Sequence, residues 1–365
     1  MAKAKMDFLK NFEKELVDIG VAEGSSQPPR YWFSTGNYVM NKTLSGSFMR
    51  GIPQGRVTGY TGPSSSGKSF LLCNAVREAQ KAGAYIVAID SENALDDDFV
   101  SKIGVDPTEG YRYVDVDTIP QCTKVVSAFL KGYKADFGKD EDAPRVLIVI
   151  DSLNMLATET EAENFEKGIT KGDQGQTNKQ LKQMLKSFVR SIKHYNISII
   201  VTAHVYANQN VLNGEGNWIV ADAAKYALSQ IALFTKLKMR EGEGAKREVT
   251  GVEIKVEGYK TRFTKPFQTT KIEVPYDTGM DPFNGLLEVA VGLGVVDKKG
   301  SRYSLAGQDD TWYSKDFNQY AGDVLVSCEA KREKFIEAKL EDMEEDMTVD
   351  EPSAKSKRKA KLSKE

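Results

Sequence analysis

One segment constrains the fold of this chain more than any other, the sequence GPSSSGKS at residues 62–69. It follows an apolar run, VTGYT, and precedes SFLLCNAV, which continues as a helical stretch. Small residues in such a loop let successive backbone N–H groups surround phosphate oxygens, and the following helix directs its positive end at them. The pattern predicts a strand, a phosphate-binding loop and a helix. Its nucleotide-contacting residues would be Gly62, Pro63, Ser64, Ser65, Ser66, Gly67, Lys68, Ser69 and Phe70.

Two acidic residues elsewhere in the chain fit the chemistry of such a loop. Lys68 would reach the outer phosphates, and the Ser69 hydroxyl would ligate Mg²⁺. Asp151 closes the apolar run VLIVID and would hold the water shell of Mg²⁺, with a helix N-cap as the structural alternative. Glu92 follows the run YIVAID and could orient and deprotonate an attacking water. This set predicts Mg²⁺-assisted hydrolysis of a nucleoside triphosphate.

His204 stands at the end of a further apolar run, ISIIVTAH. A histidine that closes a core strand at the ligand edge could sense the terminal phosphate by donating a hydrogen bond to it. A hydrogen-bonded structural histidine fits the same spacing equally well, so the spacing leaves both interpretations open.

Short runs rich in Val, Ile and Tyr alternate with helical stretches from residue 56 to residue 204. This alternation predicts βαβ units and a mainly parallel sheet covered on both faces. After residue 230, the runs IALFTKLKMRE, TGVEIKVEGYK and FQTTKIEVPY follow without a helix between them, which predicts antiparallel strands that extend the same sheet. The expected fold is α/β, a mainly parallel twisted sheet flanked by helices, with a short N-terminal helix and a small C-terminal region.

Composition narrows the class of protein further. The 365 residues carry 50 basic and 52 acidic side chains, so nucleic-acid contacts would have to come from a local patch. Three widely spaced cysteines and two histidines argue against a zinc site or a disulfide scaffold and predict a reducing compartment. No apolar run reaches the roughly 18 residues that a membrane span needs, so we expect no membrane contact.

The two ends of the chain differ from its middle. Apolar residues at spacings of three and four predict an amphipathic helix over residues 6–19, which SSQPPR then breaks. An acidic block followed by a basic block predicts a disordered tail. The expected divisions are residues 1–30, a helix and linker that could pack on its own body or on a neighbouring subunit; 31–278, the nucleotide-hydrolysing core; 279–340, a small α/β region; and 341–365, the tail.

The order of these motifs resembles that of the RecA-family recombinases. GPSSSGKS, AIDSENALDDDFVSKIGVD, LIVIDS and a polar strand end before a Gly/Asn-rich loop follow one another as in that family, over about residues 31–300. The histidine at the fourth strand end, the serine after Lys68 and the stretch TGMDPFNGLLEVAVGLGVV are more similar to the phage branch, the UvsX recombinases. The resemblance implies a RecA-like P-loop NTPase core with ATP and Mg²⁺ as cofactors.

Several site residues follow from this resemblance, position by position. Glu92 corresponds to the family's catalytic glutamate, and Asp96 and Phe99 to residues that contact adenine, where a phenyl ring can stack on the base. His204 corresponds to a switch residue that is glutamine in bacterial RecA.

Lys260 and Arg262 lie in the stretch EGYKTRFTKPF. They correspond to basic residues of the family that reach a neighbouring subunit's nucleotide and neutralise developing phosphoryl charge. The structural alternative is a solvated strand face, because alternate residues of a strand share a face.

The resemblance also implies two DNA-contacting loops, near residues 159–178 and 205–221. In the second loop we single out Asn213, Gly214, Gly216 and Trp218. After the first loop, four cations recur at helical spacing: Lys179, Lys182, Lys186 and Arg190. No acidic residue occurs between 174 and 193, so we expect this basic stripe to follow DNA phosphates; an ordinary solvated helix face is the alternative.

These features predict an ATP-dependent recombination protein that polymerises on single-stranded DNA, aligns a homologous duplex and exchanges strands. Its expected partners are single-stranded DNA, homologous double-stranded DNA, further copies of itself in a helical filament, and mediator and ssDNA-binding proteins. The expected location is the cytoplasm, that of the host cell if the protein is phage-encoded. The alternatives are a hexameric replicative DNA helicase on the same core, and a non-enzymatic ssDNA-coating protein with a decayed ATP site.

Overall fold

The computed structural model describes residues 12, 14, 15, 18 and 28–349, except 170–174, 208–217, 221 and 242–247. The chain divides into two units, Met1–Tyr31 and Trp32–Glu365. In the first unit, the four described residues that fall in the predicted helix over 6–19 are helical and exposed: Phe12, Lys14, Glu15 and Asp18.

The second unit alternates strands and helices along most of its length. Its strands are β1 (Trp32–Phe33), β2 (Ile52–Pro53), β3 (Val57–Gly62), β4 (Tyr85–Asp90), β5 (Tyr111–Asp115), β6 (Val146–Asp151), β7 (Ile197–Ala207), β8 (Trp218–Val220), β9 (Gln230–Glu241), β10 (Glu248–Lys260), β11 (Thr269–Pro275), β12 (Val296–Lys299), β13 (Arg302–Leu305) and β14 (Trp312–Tyr313). Its helices are α1 (Tyr38–Ser45), α2 (Lys68–Lys81), α3 (Asp97–Lys102), α4 (Ile119–Phe137), α5 (Glu159–Glu166), α6 (Gln176–Ile192), α7 (Asp222–Ala227), α8 (Leu286–Gly292) and α9 (Ala321–Val349), with a 3₁₀ helix at Ser314–Gln319.

A nine-stranded sheet forms the centre of this unit, in the order β11-β10-β9-β3-β7-β6-β4-β5, with β8 paired to β7. The six strands from β9 to β5 are parallel, and β10 is antiparallel to both β9 and β11. This confirms the predicted α/β fold, in which the three runs after residue 230, now β9, β10 and β11, extend the same sheet. One detail differs, because β9 joins the sheet parallel to β3 and the antiparallel part begins only at β10.

The centre of the sheet is covered on both faces. β3 and β6 are buried along their whole length, as parallel strands flanked by helices are. On one face, Val126 of α4 and Leu185 of α6 share a core with Ile148 of β6. Leu147 alternates with Ile148 and faces the other side, where α2 contacts β3, β4, β6 and β7. This packing gives the ends of the central strands a rigid support.

The C-terminal elements form a second core. β12, β13 and β14 make a separate three-stranded sheet, and residues of α8, the 3₁₀ helix and α9 cluster with it. Val39 of α1 and the nearby Phe48 belong to the same cluster as Leu286 and Val324. The C-terminal region is therefore folded against the residues that precede the phosphate loop.

The helix α9 extends further than the sequence pattern predicted. The expected disordered tail begins at residue 341, whereas α9 continues to Val349; residues 350–365 lie outside the described residues. Glu and Met, which are frequent between 341 and 349, are good helix formers, and extending an existing helix costs less than nucleating a new one. Charge composition alone does not reveal this effect.

The first of the two expected DNA loops contains regular structure. Residues 159–166 form α5, which begins with a capping box in which Thr158 and Glu161 exchange hydrogen bonds between side chain and backbone. The sequence shows no apolar periodicity here, because this helix buries none of its residues and is stabilised at its cap instead. Residues 170–174 of the same loop lie outside the described part of the chain.

The apolar run ISIIVTAH suggested that β7 ends at His204, but the strand continues beyond it. Its parallel pairing with β3 ends there, opposite Gly62, and β7 then continues to Ala207 in an antiparallel pairing with β8. The change of partner explains the difference, because the residues after His204 no longer need to be apolar on both faces.

Two further observations concern the whole described chain. None of the described helices is long and apolar enough to cross a membrane. Cys73, Cys122 and Cys328 are buried and carry free thiols. Burial raises the pKa of Cys122 to about 12 and that of Cys328 to about 11, which makes these thiols poor nucleophiles.

Glu329 connects α9 to the segment that follows α1. Its Oε1 accepts a hydrogen bond from the Ser47 hydroxyl at 2.7 Å, and its Oε2 accepts one from the backbone N–H of Phe48 at 2.9 Å. Arg332, one turn further along α9, donates to Oε1 at 2.9 Å. The side chain is 13% exposed, so these bonds are largely shielded from water.

We expect Glu329→Ala to lower the free energy of unfolding by about 1–3 kcal/mol, because the Phe48 N–H and Ser47 hydroxyl lose their acceptor. Urea denaturation of the full chain measures this change. Glu337→Ala, at an exposed position of the same helix, serves as the control and should change stability by less than about 0.5 kcal/mol. Equal effects of the two substitutions would contradict an anchoring role for Glu329.

Candidate active site

Polar groups gather where four neighbouring strands end. The strands β3, β7, β6 and β4 are adjacent and parallel, so their carboxyl ends lie at one edge of the sheet. β3 leads into the phosphate loop, His204 lies opposite Gly62, and Asp151 closes β6. Asp90 of β4 pairs with Asp151, and Glu92 follows two residues later. The sheet thus brings together groups that are far apart in the sequence.

The phosphate loop joins β3 to α2 through a tight turn. Gly67 precedes α2 with a φ of +93°, and a Cβ there would lie 2.8 Å from Ile254 Cδ1, so the position suits glycine alone. Ser66 is buried, and its hydroxyl has no hydrogen-bond partner among the described residues. The first N–H groups of α2 lack partners within the helix. The loop therefore offers unused donors at the positive end of a helix, which favours an anion.

Lys68 is only 6% exposed. Its Nζ donates to the carbonyl oxygens of Gly62 at 3.3 Å and Pro63 at 3.0 Å, and it lies 3.4 Å from His204 Nδ1. Because a lysine ammonium only donates, a hydrogen bond between these two atoms requires Nδ1 as the acceptor. Burial lowers the pKa of Lys68, against the opposing effect of two nearby carboxylates. A phosphate would be a stronger acceptor for this amine than the neutral groups it contacts.

Asp151 is 1% exposed. Its Oδ1 accepts a hydrogen bond from the Thr202 hydroxyl, and its buried Oδ2 has no partner in the described part of the chain. Burial raises the pKa of Asp151, whereas the hydroxyls of Ser69 and Thr202 lower it. No cluster of three His, Cys, Asp or Glu side chains among the described residues could hold a metal alone. An unpaired carboxylate oxygen beside a hydroxyl fits Mg²⁺, which is usually held by few protein groups together with substrate phosphates.

Glu92 forms part of a small hydrogen-bond network. Its Oε1 accepts from the Ser152 hydroxyl and lies 3.4 Å from His204 Nε2. The Glu92 side chain is 26% exposed, so water can reach it. Asp90, which is fully buried, accepts hydrogen bonds from the backbone N–H groups of Glu92 at 2.9 Å, Ala94 at 2.8 Å and Leu95 at 2.9 Å. The Asp90 carboxylate therefore shapes the turn that presents Glu92.

Sequence reasoning missed four residues of this network: Asp90, Ser152, Thr202 and Asn154, whose Oδ1 accepts from the His204 N–H at 2.6 Å. A signal for two of them was present. The tripeptide Ile-Asp-Ser occurs at residues 89–91 and again at 150–152, at the ends of two predicted parallel strands. Thr202 lies two residues before His204, on the same face of the strand.

Asp96 and Phe99, the expected adenine contacts, lie at the start of α3. Asp96 Oδ1 accepts from the Phe99 N–H at 2.8 Å, so this carboxylate caps the helix. The Phe99 ring is half-buried. A cap occupies one carboxylate oxygen and leaves the other available, so the role at adenine stays a prediction.

Lys260 and Arg262 lie toward the opposite edge of the sheet from the phosphate loop. Lys260 pairs with Ile231, which is level with Gly59 in the first half of β3. Its Nζ donates to the carbonyl oxygen of Lys225, and Arg262 is exposed. Burial, and secondarily the charge of Arg262, lower the pKa of Lys260. Neither side chain belongs to the phosphate-loop network of its own chain.

Most of the basic stripe of α6 faces solvent. Lys179, Lys186 and Arg190 are exposed, on the side away from the buried Leu181, Met184, Leu185, Phe188 and Ile192. Lys182 is half-buried, and its Nζ lies 5.0 Å from the centre of the Tyr226 ring. Asn213, Gly214 and Gly216 lie outside the described residues, and the backbone of Trp218 pairs with Ala207.

The fold and this site define a P-loop nucleoside triphosphatase with a mainly parallel sheet. The family model described as the RecA N-terminal domain matches residues 4–281. The chain is 30% identical to Protein RecA of Thermus aquaticus over 308 residues, which cover 83% of this chain and 84% of that protein. It is also 28% identical to Protein RecA of Bordetella petrii and to that of Desulforapulum autotrophicum, in each case over 75% of this chain. These matches cover 71% of the Bordetella petrii protein and 74% of the Desulforapulum autotrophicum protein.

The chain therefore belongs to the RecA family, whose members are ATP-dependent recombinases and DNA-dependent ATPases. The predicted family, its use of ATP and its class of activity are confirmed.

We expect Lys68→Ala to abolish ATP binding, because it removes the cation at the mouth of the phosphate loop. Equilibrium binding of a fluorescent ATP analogue measures the loss. Lys81→Ala removes an exposed cation at the far end of α2 and should leave the affinity within about twofold. Retained nucleotide affinity in Lys68→Ala would show that this loop does not bind the phosphates of ATP.

Proposed function

We propose that this protein forms filaments on single-stranded DNA and catalyses homologous pairing and strand exchange, with ATP hydrolysis releasing the filament. One observation carries the proposal. Lys68, Asp151 and Glu92 lie together at one edge of the sheet, while Lys260 and Arg262 lie toward the other. A site divided in this way is completed only when a second subunit approaches, so hydrolysis and assembly depend on each other.

Each residue of the first edge has a role that follows from its surroundings. The phosphate loop and Lys68 bind the phosphates, and Glu92 accepts the proton of the attacking water. Ser69 and Asp151 would hold Mg²⁺, which when bound neutralises charge on the phosphate oxygens. His204 contacts both Lys68 and Glu92, so it is suited to report whether the terminal phosphate is present.

Lys260 and Arg262 would act on the nucleotide of the neighbouring subunit. Lys260 and Arg262 carry no carboxylate partner among the salt bridges of the described residues, so their charges are available to a developing phosphoryl anion. Cations placed there stabilise the transition state more than the ground state, as an arginine finger does.

DNA contacts would come from α6 and the loops that flank it. Lys179, Lys186 and Arg190 present positive charge to solvent on one helix face, which suits the phosphates of a single strand. Homologous double-stranded DNA and mediator proteins are the further partners that we propose.

Two finer assignments belong to the same proposal. The histidine at position 204 and the serine after Lys68 support a place in the phage UvsX-like branch of the family. Buried free thiols at Cys73, Cys122 and Cys328 fit a reducing cytoplasm.

Negative-stain images with ATP and single-stranded DNA, together with ATPase rates with and without DNA, test the proposal. Helical filaments and DNA-stimulated hydrolysis support it. Closed rings would favour the replicative helicase, and DNA coating without hydrolysis would favour the non-enzymatic alternative. The family comparisons favour neither alternative.

We expect Glu92→Gln to keep the ATP affinity and to slow DNA-stimulated hydrolysis about 10²-fold or more, which would lengthen filament lifetime. The amide preserves size and hydrogen bonding but cannot take a proton from water. Phosphate release under saturating ATP measures the rate, with Glu109→Gln, an exposed glutamate, as the control. Wild-type turnover in Glu92→Gln would remove this residue from the mechanism.

A mixing experiment tests whether Lys260 acts on the neighbouring subunit. Lys260→Ala subunits should bind ATP normally and hydrolyse it poorly. When they are mixed with Glu92→Gln subunits, some interfaces combine an intact Glu92 with an intact Lys260, so partial recovery of the DNA-dependent ATPase is expected. Co-assembly is checked independently by energy transfer between labelled variants. Co-assembled mixtures that stay at the rate of the separate variants would show that Lys260 does not act in trans.

A further inference from the structure

Ser152 lies where the two turns that carry acidic residues meet. It is 0% exposed and follows Asp151 at the end of β6. Its backbone N–H donates to Ser91 Oγ at 3.0 Å, and Ser91 Oγ donates to the Ser152 carbonyl oxygen at 2.8 Å. The Ser91 N–H in turn donates to the Asp151 carbonyl oxygen at 2.8 Å. These three bonds form a backbone clamp, which holds the turn after β4 against the turn after β6.

The Ser152 hydroxyl is not used in this backbone clamp. It donates instead to Glu92 Oε1, which also faces His204 Nε2 at 3.4 Å. No described residue donates a hydrogen bond to Oε2 of the same carboxylate. The Ser152 hydroxyl thus occupies Oε1, and Oε2 remains to accept a proton.

We infer that Ser152 is a positioning residue for Glu92, holding the carboxylate so that Oε2 faces the attacking water. The inference rests on the proposed role of Glu92 in ATP hydrolysis. His204 also contacts Lys68 and would turn to the terminal phosphate, so its hold on Glu92 depends on the nucleotide. Ser152 is fully buried and fixed by the backbone clamp, so its hold on Glu92 does not depend on ligand.

A double-mutant cycle on the full chain tests this role. The four proteins are wild type, Ser152→Ala, Glu92→Gln and the double variant, and the readouts are ATP affinity and the single-turnover rate of DNA-stimulated hydrolysis. We expect Ser152→Ala to lower the rate about 10- to 100-fold, since a small misplacement of a reacting group has effects of that order, with ATP affinity within twofold. In the Glu92→Gln background the same substitution should lower the residual rate less than about twofold, because no base remains to be positioned.

Ser198→Ala is the matched control. Ser198 is also 0% exposed, and its hydroxyl donates to the Pro53 carbonyl oxygen at 3.1 Å near the start of β7, away from the site. Its removal should leave the hydrolysis rate within about twofold in both backgrounds. If Ser152→Ala fails to fold, Ser152→Cys takes its place in the cycle, because a thiol has a similar size and donates only weakly.

The outcomes separate this inference from the proposed function. Three results would overturn the positioning role while leaving Glu92 as the base. They are a wild-type hydrolysis rate in Ser152→Ala, an equal loss of rate in the wild-type and Glu92→Gln backgrounds, and a loss of ATP affinity. Wild-type turnover in Glu92→Gln would overturn both. Supporting evidence is a rate defect that requires Glu92, with affinity retained and Ser198→Ala unaffected.

Discussion

Two buried carboxylates lie side by side at the centre of this site. Asp90 and Asp151 are paired on β4 and β6 and are 0% and 1% exposed. Burying like charges together is unfavourable unless donors or cations compensate them. Asp90 obtains its compensation locally, from three backbone N–H groups and the Tyr113 hydroxyl at 3.3 Å. Asp151 keeps one oxygen without a hydrogen-bond partner among the described residues, and burial raises its pKa. The edge of the sheet is therefore left short of positive charge, so binding of a nucleotide with Mg²⁺ should stabilise the folded chain.

Local pattern predicted much of the fold, because parallel strands buried on both faces read as apolar runs with polar residues at their ends. Asp151 and Glu92 could be singled out for that reason, by their positions at and just after the end of such a run, and Lys68 by the phosphate-loop motif. The order β3-β7-β6-β4 was not readable in this way. Strand order depends on long-range pairing, and only that order shows that His204 lies between the phosphate loop and the acidic turns.

Three of the missed residues, Ser152, Thr202 and Asn154, act through a partner that is distant in the chain, whereas Asp90 acts on the backbone that directly follows it. Ser152 is 60 residues from Glu92, and Thr202 is 51 residues from Asp151. Their hydroxyls meet those carboxylates only because the register between parallel strands places them there. The misplaced boundaries have a different cause. α5 and the end of α9 are helices whose stability comes from a cap or from continuation of an existing helix, and neither effect leaves an apolar period in the sequence.

The strand β10 relates the two halves of the divided site. In its middle, Ile254 packs against Gly67 and supports the phosphate loop of its own chain. Six residues later it ends at Lys260, which would serve the nucleotide of the neighbour. An extended strand rises about 3.4 Å per residue, so the two points are about 20 Å apart along one strand. β10 is paired with β11 as far as Glu257 and with β9 up to Lys260, with one register shift between Gly258 and Lys260. Each subunit would therefore hold its own nucleotide and its contribution to the next at a fixed separation, and this is a physical basis for a filament with a regular repeat.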